Sequence, residues 1–151
     1  MAIDELRRTG AGFVAVHAQQ VVARGADSGV GRLIEAAEEL RGAGIAGAAL
    51  ADRIAGRAAV LVAVWANIRS LHAELISDTA LEEAARRRLP VSHERRVPMI
   101  LNRRRDGPCP FEAAAADALA QGMALDATVA RLREVGRSMA QRRVREEGAP
   151  P

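Results

Sequence analysis

Three aromatic side chains in 151 residues, one Trp and two Phe with no Tyr, constrain this chain more than any other feature. Hydrophobic residues still make up 49% of it, so the interior must be filled with Ala, Val, Leu and Ile. The length suits one domain with a substantial core and is short for two. Recognition of nucleic acid by stacking bases on aromatic platforms is disfavoured, because there are too few rings to stack on.

The charge pattern points the same way. A sequence pI near 10.7 suggests a nucleic-acid binder, but the net charge is only +3 and all 22 basic side chains are Arg. Without Lys or Tyr, little titrates between neutrality and the arginine range, and the pI floats upward. Net charge is the better guide to partners, and it is weakly basic. Nucleic acid is therefore not an expected partner. The opening MAIDELRRTG has no apolar signal segment, and the longest apolar run, Ala58 to Ala66, falls well short of the roughly 20 residues of a membrane helix. A single cysteine excludes an internal disulfide and fits a reducing cytoplasm.

Periodicity gives an order of elements. Gly12–His17 and Val21–Arg24 alternate as a hairpin, and Asp27–Ser28–Gly29 opens a helix with Leu33, Ile34, Ala37 and Leu40 on one face. Gly42 and Gly44 close that helix. The apolar run Ile45–Ala51 leads to Asp52, read as the N-cap of a buried helix from Arg53 to about Trp65. Leu71–Ile76 reads as a strand. Thr79 and Glu82 read as a capping box for a helix ending near Arg88. Val91–Val97 alternates as a last strand, and Pro110 and Asp126 begin the final two helices. The stripe Leu125, Val129, Leu132, Val135 and Met139 either packs back on its own domain, the commoner fate, or forms a homodimer surface. Residues 1–141 are expected to form one domain and 142–151 a flexible tail. Strands alternating with helices predict an α/β fold with a mixed five-stranded sheet. Ligands of such sheets gather where helix N-termini meet strand ends, here at the turns Asp27–Gly31 and Ala51–Gly56, with Ser28 and Gly29 in the first.

The segment Asn102–Glu112, NRRRDGPCPFE, holds the lone cysteine between two prolines. With Pro110 as the first helical residue, Cys109 becomes the N-cap, facing free amides and the positive end of the dipole. That setting favours thiolate and makes Cys109 a candidate nucleophile. Glu112, three residues on, opposes it with negative charge, and a structural cap is the plainer reading. Asn102 and Arg103 either pin this turn or line the same cleft. Glu74, between apolar neighbours on a strand, calls for an arginine partner or faces a ligand.

Four segments, GVGRLIEA from Gly29, ALADRIAGRAAVL from Ala49, HAELIS from His72 and PMILNRRRDGPCPFE from Pro98, resemble a family of small uncharacterised prokaryotic proteins. The resemblance runs from about Phe13 to Arg133. It implies a three-layer α/β/α, cytidine-deaminase-like fold and no settled activity. The family's motif carries lysines where this chain has Arg53 and Arg57. Arginine stays protonated, so the implied role is to bind an anion at a helix start formed with Asp52 and Gly56. Deaminases hold zinc through an HxE motif and a cysteine pair. Here His72, Glu74, Cys109 and Glu112 make only an echo of that set, since the second cysteine is missing and His72 lies on a strand. No metal or other cofactor is expected. The sequence points to a zinc-free domain binding a nucleotide-like or phosphorylated small molecule, with a non-catalytic regulatory or assembly module as the alternative.

Overall fold

Residues 1–148 are described in the structure, a computed structural model. Five strands, β1 (Phe13–His17), β2 (Gln20–Gly25), β3 (Ala49–Ala55), β4 (Ser70–Ser77) and β5 (Val91–Val97), form one sheet in the order β2-β1-β3-β4-β5. The first strand is antiparallel to both neighbours, while β3, β4 and β5 are parallel. The two reversals cancel, so β2 runs with β3, β4 and β5. Their C-terminal ends therefore share one edge, and the segments entering the next helices leave from it.

The described residues also form six helices: α1 (Ala2–Thr9), α2 (Val30–Gly42), α3 (Arg57–Trp65), α4 (Asp78–Arg86), α5 (Pro110–Ala120) and α6 (Leu125–Glu147). The chain is an α/β protein with a mixed five-stranded sheet. Its layers are uneven. Among the described residues, one face carries only α1, whose Ala2 and Leu6 pack with Val14, Val16 and Ala51. The other face, through Phe13, Ala15, Leu50, Leu71 and Ala73, belongs to the main core under the remaining helices. Here α5 and α6 pack on α2, α3 and each other, as a second helical storey. That storey explains α3, whose Ala58–Ala63 segment is buried all round because sheet and helices enclose it.

Several expectations are corrected. The helix expected from Arg53 begins at Arg57, and Asp52 is an interior residue of β3, paired with Phe13 and Ala73. A polar residue ending an apolar run reads as a cap, but here it is a buried acid within a strand. The first helix was not expected, although Asp4 and Glu5 in its first turn, Arg7 and Arg8 in its last and left-handed Gly10 after it all mark a helix. The cap of α4 is Ser77, whose Oγ accepts from the Ala80 amide at 3.1 Å, rather than Thr79. The tail expected from Arg142 is helical through Glu147, with residues 149–151 outside the described ones. The apolar stripe of α6 packs on its own domain: Val129 and Leu132 are fully buried, and Val135 and Met139 lie against the core. Burial of this kind contributes roughly 1.5–3 kcal/mol per large aliphatic side chain. No described helix is long and apolar enough to cross a membrane.

Candidate functional site

The start of α3 was expected to offer free amides to an anion. It is already filled from within the chain. The Glu112 carboxylate reaches across from α5, accepting the Arg57 amide at 3.0 Å and the Ala58 amide at 3.2 Å. Gly56 at the N-cap makes room for it: a Cβ there would lie 1.8 Å from Glu112 Oε1. Burial raises the Glu112 carboxyl above its usual range, although the two amides and the Arg57 charge oppose the shift.

Arg57 is turned inward. Its Nε lies 3.8 Å from Oε1 of Glu83, a buried carboxylate also flanked by Arg86 at 3.6 Å and Arg87 at 3.0 Å. Arg53 is on β3, so its side chain alternates to the face opposite Asp52; there its Nη2 lies near Gly10 at the end of α1. Asp52 shares the face of Phe13 and Ala73 in the main core, and desolvation pushes its carboxyl up to about 8 despite the Ile54 amide it accepts. These four residues, Asp52, Arg53, Gly56 and Arg57, therefore do not form the expected anion-binding helix start.

His72 Nδ1 bonds Ser92 Oγ at 2.8 Å, and Glu94 of the same patch pairs with Arg7 of α1. His72 thus faces the α1 side, while Cys109 and Glu112 lie with α3 and α5 on the other. The zinc-like echo is not assembled, and no three metal-ligating side chains gather among the described residues. Glu74, two residues on from His72 in β4, makes no ion pair among the described residues.

Cys109 is the N-cap residue of α5, with Pro110 at N1, but its side chain makes no cap bond. Burial raises its thiol, and the nearby Glu112 charge adds to the shift against the opposing Phe111 and Glu112 amides. Iodoacetamide at pH 7 should alkylate Cys109 more slowly than free cysteine; an equal or faster rate would show the cap making thiolate after all.

Asn102 pins its turn. Its side chain donates to Asp106 at 2.8 Å and accepts the Asp106 amide at 3.2 Å, and the hairpin closes at Leu101 and Pro108. Arg103, the next residue, is left to project. It lines a groove of about 810 Å³ together with Asp27, Ser28 and Gly29 at the start of α2.

Helix packing creates this groove. Arg133 of α6 pairs with Glu38 of α2, and Gly136 meets Gly31, where a Cβ on Gly136 would lie 3.7 Å from the Gly31 Cα and 3.6 Å from the Phe111 ring. As α6 advances, its contacts on α2 recede, so the two run antiparallel. Because α2 begins at Val30, everything in α6 beyond Gly136 overhangs that start. The overhang brings Arg137 and Arg143 to the groove wall, with Met139 and Ala140 between them. The α2 N-terminus has no side-chain cap and no acid in its first turn, so its amides and dipole favour an anion. Five arginines and three carboxylates line the groove, a positive excess of two. Arg32 and Arg133 pair with Glu35 and Glu38, and Arg137 with Glu134; Arg103 and Arg143 make no ion pair among the described residues.

The model of a family described as a domain of unknown function (DUF1893) matches residues 1–127 of this chain. The chain belongs to the DUF1893 family. A crystal structure of a DUF1893 family protein from Thermotoga maritima is similar at a TM-score of 0.70 and 18% identity, covering 91% of this chain and 86% of that chain. That likeness shows the DUF1893 fold and nothing of chemistry. A comparison with curated proteins gives no match. Most of α6, including the overhang, lies beyond the residues matched to DUF1893.

Proposed function

We propose that this DUF1893 protein binds a nucleotide-like or otherwise phosphorylated small molecule in the groove before α2, on a zinc-free, cytidine-deaminase-like α/β scaffold in the cytoplasm. The carrying observation is the groove itself: an uncapped helix start, Ser28 and Arg103, unpaired among the described residues, converge on a space of about 810 Å³, within the roughly 300–1,000 Å³ usual for small-ligand sites. Arginine suits phosphate through paired N–H donors. The apolar lining of Phe111 and Ile34 suits the uncharged part of such a molecule. Binding without covalent chemistry is the reading Cys109 supports, since its side chain makes no cap bond and burial raises its thiol.

Adenosine monophosphate at about a hundred times its Kd should add roughly 2.7 kcal/mol to wild-type stability, seen as a rise in Tm of several degrees. Arg103→Ala should lose that rise, while Arg53→Ala, on the far face of the sheet, should keep it. Equal shifts in wild type and Arg103→Ala, or none in either, would overturn the proposal.

A further inference from the structure

We infer that the molecule held in this groove carries a chain of two or three phosphates rather than one. The inference rests on the reading above, that a phosphate sits at the start of α2, and adds what the α6 overhang does.

Residues 136, 139, 140 and 143 recur at helical spacing, so Gly136, Met139, Ala140 and Arg143 form one stripe of α6 facing the groove. Gly136 touches Gly31 at the α2 start, and Arg143 follows two turns later, about 10 Å along the axis at 1.5 Å per residue. A single phosphate on the α2 amides, within reach of Arg103, leaves Arg143, about two turns away, without a share in it. Extending from that point, linked phosphates run along the overhang and meet Arg137 and then Arg143. Arg143 has no carboxylate partner among the described residues, and Arg137 shares only the exposed Glu134 of its own helix. Bringing three guanidinium groups, Arg103, Arg137 and Arg143, to one concavity costs self-repulsion that an elongated polyanion would relieve. The phosphate chain thus lies along the overhang, and its organic end rests on the apolar lining by Phe111.

The test is calorimetric titration of the full chain with adenosine monophosphate and adenosine triphosphate at one fixed salt concentration. Wild type should bind the triphosphate about tenfold or more tightly than the monophosphate. The Arg137→Ala, Arg143→Ala double variant should lose this preference, its triphosphate affinity falling to the level of its own monophosphate affinity. Both side chains are exposed, and far-UV circular dichroism checks that the helix persists. Equal wild-type affinities for the two nucleotides, or a preference surviving the double variant, would overturn the inference while leaving the single-phosphate reading intact. Failure of both nucleotides to bind would remove that reading and this inference together. A single-stranded oligonucleotide that binds with steep salt dependence and is not displaced by triphosphate would also overturn it, assigning the arginines to nucleic acid.

Discussion

Asn in place of Asp52 should make the protein several kcal/mol more stable at pH 8 and remove most of its loss of stability between pH 4 and 8. Asp52 is buried in the main core face of β3 and makes no ion pair among the described residues, and desolvation lifts its carboxyl from 3.8 to about 8. For an acid raised by folding, the native state binds the proton more tightly than the unfolded chain. Its stability is intact below pH 4, where both states are protonated, and declines until the native carboxyl itself ionises near 8. At about 1.36 kcal/mol per pH unit, the full decline is on the order of 5 kcal/mol. Asn keeps an oxygen for the Ile54 amide and cannot ionise. Glu112, also raised, leaves a weaker slope of the same sign. Urea unfolding at pH 5, 6.5 and 8 measures both proteins; parallel curves for wild type and variant would show that Asp52 keeps its charge at no cost.

The second large effect concerns the plug in α3. Glu112→Ala strips the acceptor from the Arg57 and Ala58 amides and should destabilise by about 2–6 kcal/mol, from roughly 1–3 kcal/mol for each of the two amides left without a partner. Gly56→Ala should lose a comparable amount by a different route, because its methyl occupies the space of Glu112 Oε1 and expels the carboxylate. Since both changes break the same contact, the double variant should fall well short of the sum. Additive losses in urea midpoints would mean that Gly56 and Glu112 act separately, and a Glu112→Ala loss below about 0.5 kcal/mol, the scale of neutral surface changes, would dismiss the plug.

These two sites also show where the sequence could be read and where it could not. Alternation marked β1, β2, β4 and β5, and Pro110 marked the start of α5, because strand pleat and proline stereochemistry are written in neighbouring residues. The β3–α3 junction was misread for a physical reason. A cap is normally a side chain within three positions, and Asp52 supplied one in the right place. The true cap of α3 comes from Glu112, separated by 55 residues from the amide it accepts, and no local pattern records such a partner. Ser28, Gly29 and Arg103 were legible as candidates, whereas the role of α6 was not. Arg143 looks like a residue of a polar tail, and nothing local marks Arg137, until antiparallel packing at Gly31 and Gly136 carries both over the start of α2.

The second helical storey has one more consequence. Because α6 rests on helices and the sheet is completed without it, its far end can be lengthened, shortened or recharged with no strand having to adjust. Relatives could thus diverge in what they hold while the frame beneath stays constant, with the distal turns of α6 as the place where such drift meets least resistance.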